Sequence, residues 1–188
     1  MKIENIIRRV LREQQEEEKL LKIPGIRFFN NDWDLLQKFL ESQGHPRYSI
    51  GGDLDLSYSD IESLGNLVRV EGNLDLYECK NTLSLGDLEY VGGDLNLLGN
   101  KGIESLGNLE YVGGNLAITD TNVETLGNLV RVEGFLSAYK CIFLKSFGDL
   151  EYVGGYLNLR YTPLEEKYTE EEIKDIVEVV GTLYIYTR

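Results

Sequence analysis

Between residues 51 and 161 the apolar positions obey two rules in alternation. Leu54 and Leu56 are separated by one polar residue, and the pattern returns at Leu74/Leu76, Leu95/Leu97, Leu116/Ile118 and Leu157/Leu159. A period of two sends alternate side chains to one side, so each pair predicts a short strand with one buried face. The period then changes to three, in Ile61, Leu64, Leu67, Val70, in Ile103, Leu106, Leu109, Val112 and in Val123, Leu126, Leu129, Val132. That spacing suits neither an ideal helix nor a flat strand. It predicts a chain turning around a central column and sending one side chain inward at each step. Gly65, Gly86, Gly107, Gly127 and Gly148 supply permissive backbone for the turns.

The two rules recur as a unit. Gly52, Gly72, Gly93, Gly114, Gly134 and Gly155 open successive segments at spacings of 20, 21, 21, 20 and 21 residues. The extra residue falls between the LxL pair and the following Ser/Thr-Leu-Gly, where a loop tolerates insertion. The paired glycines read as turning points between coils. A single coil cannot bury its apolar residues, but stacked coils bury them against each other. The expected fold is therefore mainly β: a short parallel β-solenoid, leucine-rich-repeat-like, with 20–21-residue coils and helical caps. Seven rungs from about Leu54 to Leu183, ~4.8 Å apart, would form a parallel sheet roughly 29 Å long.

The ends carry helical patterns. Asn31 or Asp32 can cap a helix running to about Gln43, with Leu35, Leu36, Phe39 and Leu40 on one face and Trp33 against the first coil. Thr169-Glu170-Glu171-Glu172 is a capping box before Ile173, Ile176, Val177 and Val180, and Val180–Ile185 restates the repeat as a last strand. Ile3, Ile6, Ile7, Val10 and Leu11 fit a helical stripe that stops at Gln14. The resulting division is an N-terminal amphipathic helix (1–22), a helical cap (23–50), the repeat solenoid (51–164), and a capping helix with the last strand (165–188). The helix in 2–22 is expected to pack on its own domain or on a second copy.

The pattern NLxxVxGxLxL, five times over in about residues 51–161, resembles the receptor L-domain, a short solenoid related to leucine-rich repeats. That resemblance implies binding rather than catalysis. It departs from the receptor examples in lacking their disulfides, and the leucine-rich-repeat Asn is not regularly placed. A straighter β-solenoid is expected in place of a horseshoe. "MKIENIIRRVLREQ" resembles the leaders of tailed-phage head proteins, which are removed after a sequence that Leu11-Arg12-Glu13 fits.

Charge narrows the partner. The formal net charge is −13, distributed as +1 over residues 1–50 (9 bases, 8 acids), −10 over 51–164 (7 bases, 17 acids) and −4 over 165–188 (3 bases, 7 acids). An acidic body disfavours binding to a phosphate backbone, which needs Lys and Arg to release counterions. No apolar run is long enough to span a bilayer, and the basic N-terminus is not a secretory signal, so the expected location is cytoplasmic, or within a virion if the protein is phage-encoded.

Candidate chemistry is sparse. His45, the single histidine, precedes a proline at a helix end and belongs to no nucleophile signature. Cys79 and Cys141 occupy equivalent places three coils apart, roughly 14 Å by strand spacing and beyond disulfide reach. Asp53, Asp55, Asp75 and Asp94 line neighbouring rungs, yet match no calcium repeat and read as a solvated face. No cofactor and no metal are expected.

The outward residues of the LxL sheet are more informative. They pass from Asp53/Asp55/Ser57 and Asn73/Asp75/Tyr77 to Phe135/Ser137/Tyr139, Tyr156/Asn158/Arg160 and Thr182/Tyr184/Tyr186. Aromatic clusters mark binding patches and an acidic half can steer a basic partner. The expected partner-binding residues are Asp55, Asp75, Tyr77, Phe135, Tyr139, Tyr156, Arg160, Tyr184 and Tyr186. A second outward series, Arg69, Tyr90, Tyr111, Arg131 and Tyr152, reads as structural cation–ring stacking. The expected function is a non-catalytic module that binds a protein through this sheet. A packaged or structural virion protein with a cleavable leader, and an acidic mimic of nucleic acid that inhibits a DNA-binding enzyme, are the alternatives.

Overall fold

A computed structural model describes residues 19–186. The repeat forms a parallel β-solenoid built from two sheets. One, sheet B, is the seven-rung stack of LxL pairs: Leu54–Asp55, Leu74–Asp75, Leu95–Asn96, Leu116–Ala117, Leu136–Ser137, Leu157–Asn158 and Leu183–Tyr184. Its register sets each leucine directly over the next, as in Leu54 on Leu74 and Leu136 on Leu157.

The second sheet, sheet A, is a correction to the reading of the period-three segments as turning chain alone. Their ends pair as Leu67–Val70, Tyr90–Val91, Tyr111–Val112, Arg131–Val132 and Tyr152–Val153, continued by Glu178–Val179 at one end. At the other end Tyr48–Ile50 and then Leu21–Ile23 extend it to eight strands. Leu21 and Lys22, taken from the sequence as the end of an N-terminal helical segment, are thus β-strand. The rest of that helical reading, the Leu11-Arg12-Glu13 leader and self-association through 2–22 rest mainly on residues 1–18, outside the described residues.

The core lies between the sheets. Each coil contributes the two LxL side chains, one valine of sheet A (Val70, Val91, Val112, Val132, Val153) and corner residues such as Leu106 and Leu109, all buried. Corner turns are made at Gly65, Gly86, Gly107, Gly127 and Gly148, every one in the left-handed region. The paired glycines do something else, because Gly72, Gly93, Gly114 and Gly134 have no positive φ. A methyl at any of them would overlap the Oδ1 of Asp53, Asn73, Asp94 or Asn115 in the coil before. They are clearance for a neighbour's side chain and not hinges.

Caps close the stack. Helix α1 (Trp33–Ser42) starts at Asp32, whose carboxylate accepts from the Leu35 N–H at 3.0 Å. Leu36 and Leu40 are buried and Trp33 and Phe39 pack on the core, whereas Leu35 is 42% exposed, so the apolar face is narrower than its spacing suggests. At the far end a short helix α2 (Pro163–Lys167), with Pro163 in its first turn, precedes α3 (Glu170–Ile176). The Thr169/Glu172 capping box is present on α3. Ile173 and Val177 are buried, but Ile176 and Val180 are 43% and 63% exposed. The expected four-residue stripe is therefore two residues wide: the helix stops at Ile176 and the chain straightens to enter sheet A at Glu178–Val179. No described helix is long and apolar enough to cross a membrane.

Candidate interaction face

The outer face of sheet B presents four columns of side chains, and the first splits the molecule into two chemistries. From Asp53 to Asn115 the column is a hydrogen-bonded ladder. Asp53 Oδ1 accepts from the Asn73 N–H (2.7 Å), Asn73 Oδ1 from Asp94 (2.7 Å), Asp94 Oδ1 from Asn115 (2.7 Å) and Asn115 Oδ1 from Phe135 (3.0 Å). In the next column Asp55 Oδ1 accepts from the Ser57 N–H and Oγ–H at 2.9 and 2.7 Å, and Asp75 Oδ1 from the Tyr77 N–H and the Asn96 amide at 2.9 and 3.1 Å. The Ser57 donors hold the Asp55 carboxyl below its usual range. These acids are more than a solvated, steering surface: one oxygen of each ties backbone in its own coil or the next.

At Phe135 the ladder changes character. Phe135 and Tyr156 stack with centroids 4.6 Å apart and planes 4° from parallel, and Tyr184 meets Tyr156 edge-on at 5.5 Å. Centroid spacing close to the coil spacing means the ring faces cover one another and the ring edges face outward. A parallel cluster forms in the outer columns. Tyr139 packs edge-on to Tyr161 (5.3 Å), Tyr161 to Tyr186 (5.1 Å), and the Tyr186 hydroxyl donates to the Tyr161 hydroxyl at 2.7 Å. Tyr156 is pushed above its usual pKa by burial and Tyr186 by its bond to Tyr161, so both remain protonated at neutral pH.

Two cations sit in this aromatic region. Arg160 lies 5.0 Å from the Tyr184 ring centroid and 5.5 Å from that of Tyr186, and Lys140 Nζ lies 5.3 Å from that of Tyr139. Neither is among the ion pairs of the described residues, which take up Arg47, Arg69, Lys80, Lys101, Arg131, Lys145 and Lys174. Arg160 Nε is buried and makes no hydrogen bond. The face is uneven in charge: carboxylates on its first rungs, and on its later ones the Arg160 guanidinium and Lys140 ammonium among tyrosines, with the Glu165 carboxylate accepting from the Tyr161 and Tyr186 N–H groups at 2.7 and 3.1 Å.

The structure brings Phe135, Tyr139, Tyr156, Arg160, Tyr184 and Tyr186 into one cluster. Asp55, Asp75 and Tyr77 lie on the first two rungs, apart from it, with Tyr77 packed edge-on against Tyr58 at 5.1 Å. Sequence reasoning missed Tyr58 and Tyr161. Both fall two places after the LxL pair, in the column Tyr58, Glu78, Gly99, Asp120, Lys140, Tyr161, where every residue is left-handed. Aligning the coils one residue further would have found them. It also missed Ile142 and Phe143, 61% and 47% exposed just beyond Lys140, where the earlier coils carry Lys80/Asn81 and Lys101/Gly102. They extend the apolar end around the edge of the sheet.

Elsewhere the side chains are absorbed by the fold. In sheet A, Arg69 lies over Tyr90 at 3.4 Å and Arg131 over Tyr152 at 3.6 Å, with Tyr90 stacked on Tyr111 at 5.0 Å, the stacking expected of that series. Cys79 and Cys141 are free and buried, their thiols donating to the carbonyls of Leu56 (2.9 Å) and Ile118 (2.7 Å) in the preceding coil. Burial pushes the Cys141 thiol up, away from reactive thiolate. His45 is exposed, with a left-handed backbone, and its carbonyl accepts from the Asn66 side chain. Among the described residues no three His, Cys, Asp or Glu side chains converge as metal ligands. No family model, curated protein or solved structure matches the chain.

Proposed function

We propose that this protein is a non-catalytic interaction module that binds a protein partner through the C-terminal end of the outer face of sheet B. The observation that carries this reading is the cluster Phe135, Tyr139, Tyr156, Arg160, Tyr161, Tyr184 and Tyr186 on a parallel sheet, with Arg160 and Lys140 outside the ion pairs of the described residues in a protein of net charge −13. Tyrosine and arginine lose little conformational entropy when already held by their neighbours, which is why such groups dominate binding energy. The ring faces are spent on one another, so the partner meets ring edges, phenol hydroxyls and the guanidinium. That surface suits the mixed polar and apolar chemistry of a protein better than flat stacking on a sugar or base. The resemblance of the repeat to receptor L-domains, which implies binding rather than catalysis, supports the same reading.

The test is affinity capture from the source organism with the wild-type chain and with Tyr139→Ala/Tyr156→Ala. The double variant is expected to keep its circular dichroism spectrum and to lose the captured protein. If it retains every partner that the wild type recovers, the face is wrongly assigned.

A further inference from the structure

This uneven face has a symmetry that its sequence order conceals. Register pairs order sheet B as seven rungs, from Leu54–Asp55 through the central Leu116–Ala117 to Leu183–Tyr184. Let a second face pack on the first with its rung order reversed about a two-fold axis along the central strands. Each column then meets itself end for end.

Away from the axis, where Asn115 and Thr119 meet their own copies, and apart from Asp94 opposite Phe135, complementary groups meet. Asp55 faces Tyr184, Asp75 faces Asn158 and Asn96 faces Ser137, each an acceptor or amide opposite a hydroxyl or amide donor. Asn73 faces Tyr156. Leu98, a half-buried outward leucine, faces Tyr139. Tyr77 faces Arg160, the guanidinium with a buried nitrogen that makes no hydrogen bond, and Asp75 and Glu78 flank that tyrosine, Glu78 in a long 3.7 Å pair with Lys80. On the axis Ala117 meets Ala117, small enough for the faces to approach. Asp120, the carboxylate nearest the axis, is already paired with Lys101 at 2.7 Å. The other two-fold arrangement, with rungs in the same order, reverses the strand direction and sets Asp55 against Asp55 and Asp75 against Asp75, so it is repulsive on the first rungs.

We propose that the partner is a second copy of this chain, docked face to face through sheet B with the rung order reversed. This rests on the reading of that face as a contact surface and names its occupant. Seven rungs by the five residues from Asp53 to Ser57 give roughly 29 by 16 Å, or about 900 Å² buried in total. That lies below the standard interface size, so the dimer is weak and reversible. At physiological salt the Debye length is about 8 Å, so the charge on the far faces is screened while the pairs across the contact act.

Sedimentation velocity on the full chain from about 1 to 500 μM, a range that reaches weak association, tests the proposal. The wild type is expected to pass from monomer to dimer. Arg160→Glu and Glu78→Lys are each expected to weaken it about 10-fold, and the two together to recover it to within about 3-fold, all with unchanged circular dichroism. Ala117→Cys should be joined to its own kind by a short bismaleimide, and Glu110→Cys should not. The native thiols are buried and silent in that assay. A wild type that stays monomeric overturns the proposal, as does a dimer indifferent to Arg160→Glu, a double variant without recovery, or equal cross-linking at 110 and 117. A monomeric chain that still captures another protein through Tyr139 and Tyr156 refutes the dimer and leaves the interaction module standing. A dimer that behaves as described while no other protein is captured does the reverse, leaving the second copy as the partner.

Discussion

The column that begins at Asp53 solves one problem twice. Coils stacked about 4.8 Å apart bring equivalent side chains into contact, and those contacts must be favourable at every junction. Through Asn115 the solution is polar, each side-chain oxygen accepting the next coil's N–H. From Phe135 onward it is aromatic, ring on ring. The first ties one side-chain oxygen on each rung into holding the coils together. The second buries ring faces and leaves hydroxyls outward. The same backbone therefore carries one half laced by side-chain hydrogen bonds and one half laced by ring packing.

The sharpest way to break the polar half is to fill the space that it uses. At Gly114 a methyl would overlap Asp94 Oδ1 and lie 2.8 Å from the backbone of Gly93, whereas at Gly52 it meets nothing within 4 Å. Gly114→Ala is expected to cost about 3 kcal/mol or more, as overpacking against backbone does, and Gly52→Ala less than about 0.5 kcal/mol. Urea unfolding at constant m-value checks both. Equal costs would mean that the paired glycines serve the backbone's conformation and not the ladder.

A smaller effect is expected where the two halves join. Asn115 supplies the last acceptor, to the Phe135 N–H. Asn115→Ala leaves that donor without its partner and is expected to cost about 1–2 kcal/mol, while Asn115→Asp keeps the acceptor and stays within about 0.5 kcal/mol. The same measurement separates them.

These two sites also show what could be read without coordinates. The LxL rungs were legible because Leu alternation and the 20–21-residue recurrence agree, and a side chain at period two has only one buried face to choose. Sheet A was not, because its central strands are two residues long, such as Tyr90–Val91, too short for any alternation to register. Leu21–Ile23 and Tyr48–Ile50 were hidden for a related reason: they lie outside the repeat and are recognised only by what they pair with. In the candidate face, the aromatic cluster was visible as a list of residues. Its geometry was not, since Tyr161 enters through a left-handed turn position and Arg160's lack of an acceptor is a fact of three dimensions.

In the aromatic half, stability and contact surface should come apart. Tyr161→Phe removes the hydroxyl that accepts from Tyr186 at 2.7 Å, in an exposed setting, and keeps the ring packed against Tyr139 and Tyr186. Its stability is expected to stay within about 0.5 kcal/mol of wild type. Losing more would show that the tyrosine hydroxyls belong to the scaffold as the Asp53 ladder does, and the contrast between the halves would fail.

The smallest effect compares one turn in two chemistries. In the first coil Asp55 Oδ1 accepts from the Ser57 N–H at 2.9 Å, and in the sixth rung Asn158 Oδ1 accepts from the Arg160 N–H at 3.2 Å. The Asp55 carboxyl lies below its ordinary value near 3.8 because the folded chain donates to its charged form. A group with its folded pKa lowered stabilises the fold above its unfolded value and loses that contribution as pH falls through the folded one. Asn158 carries no such proton. Lowering the pH through the acid range should therefore loosen the first turn and leave the sixth unchanged. Amide exchange, corrected for its intrinsic pH dependence, should show lost protection at Ser57 and none at Arg160. Asp55→Asn makes the two turns chemically alike and should abolish the difference. If Ser57 still loses protection in that variant, acid is acting through another carboxylate of the ladder.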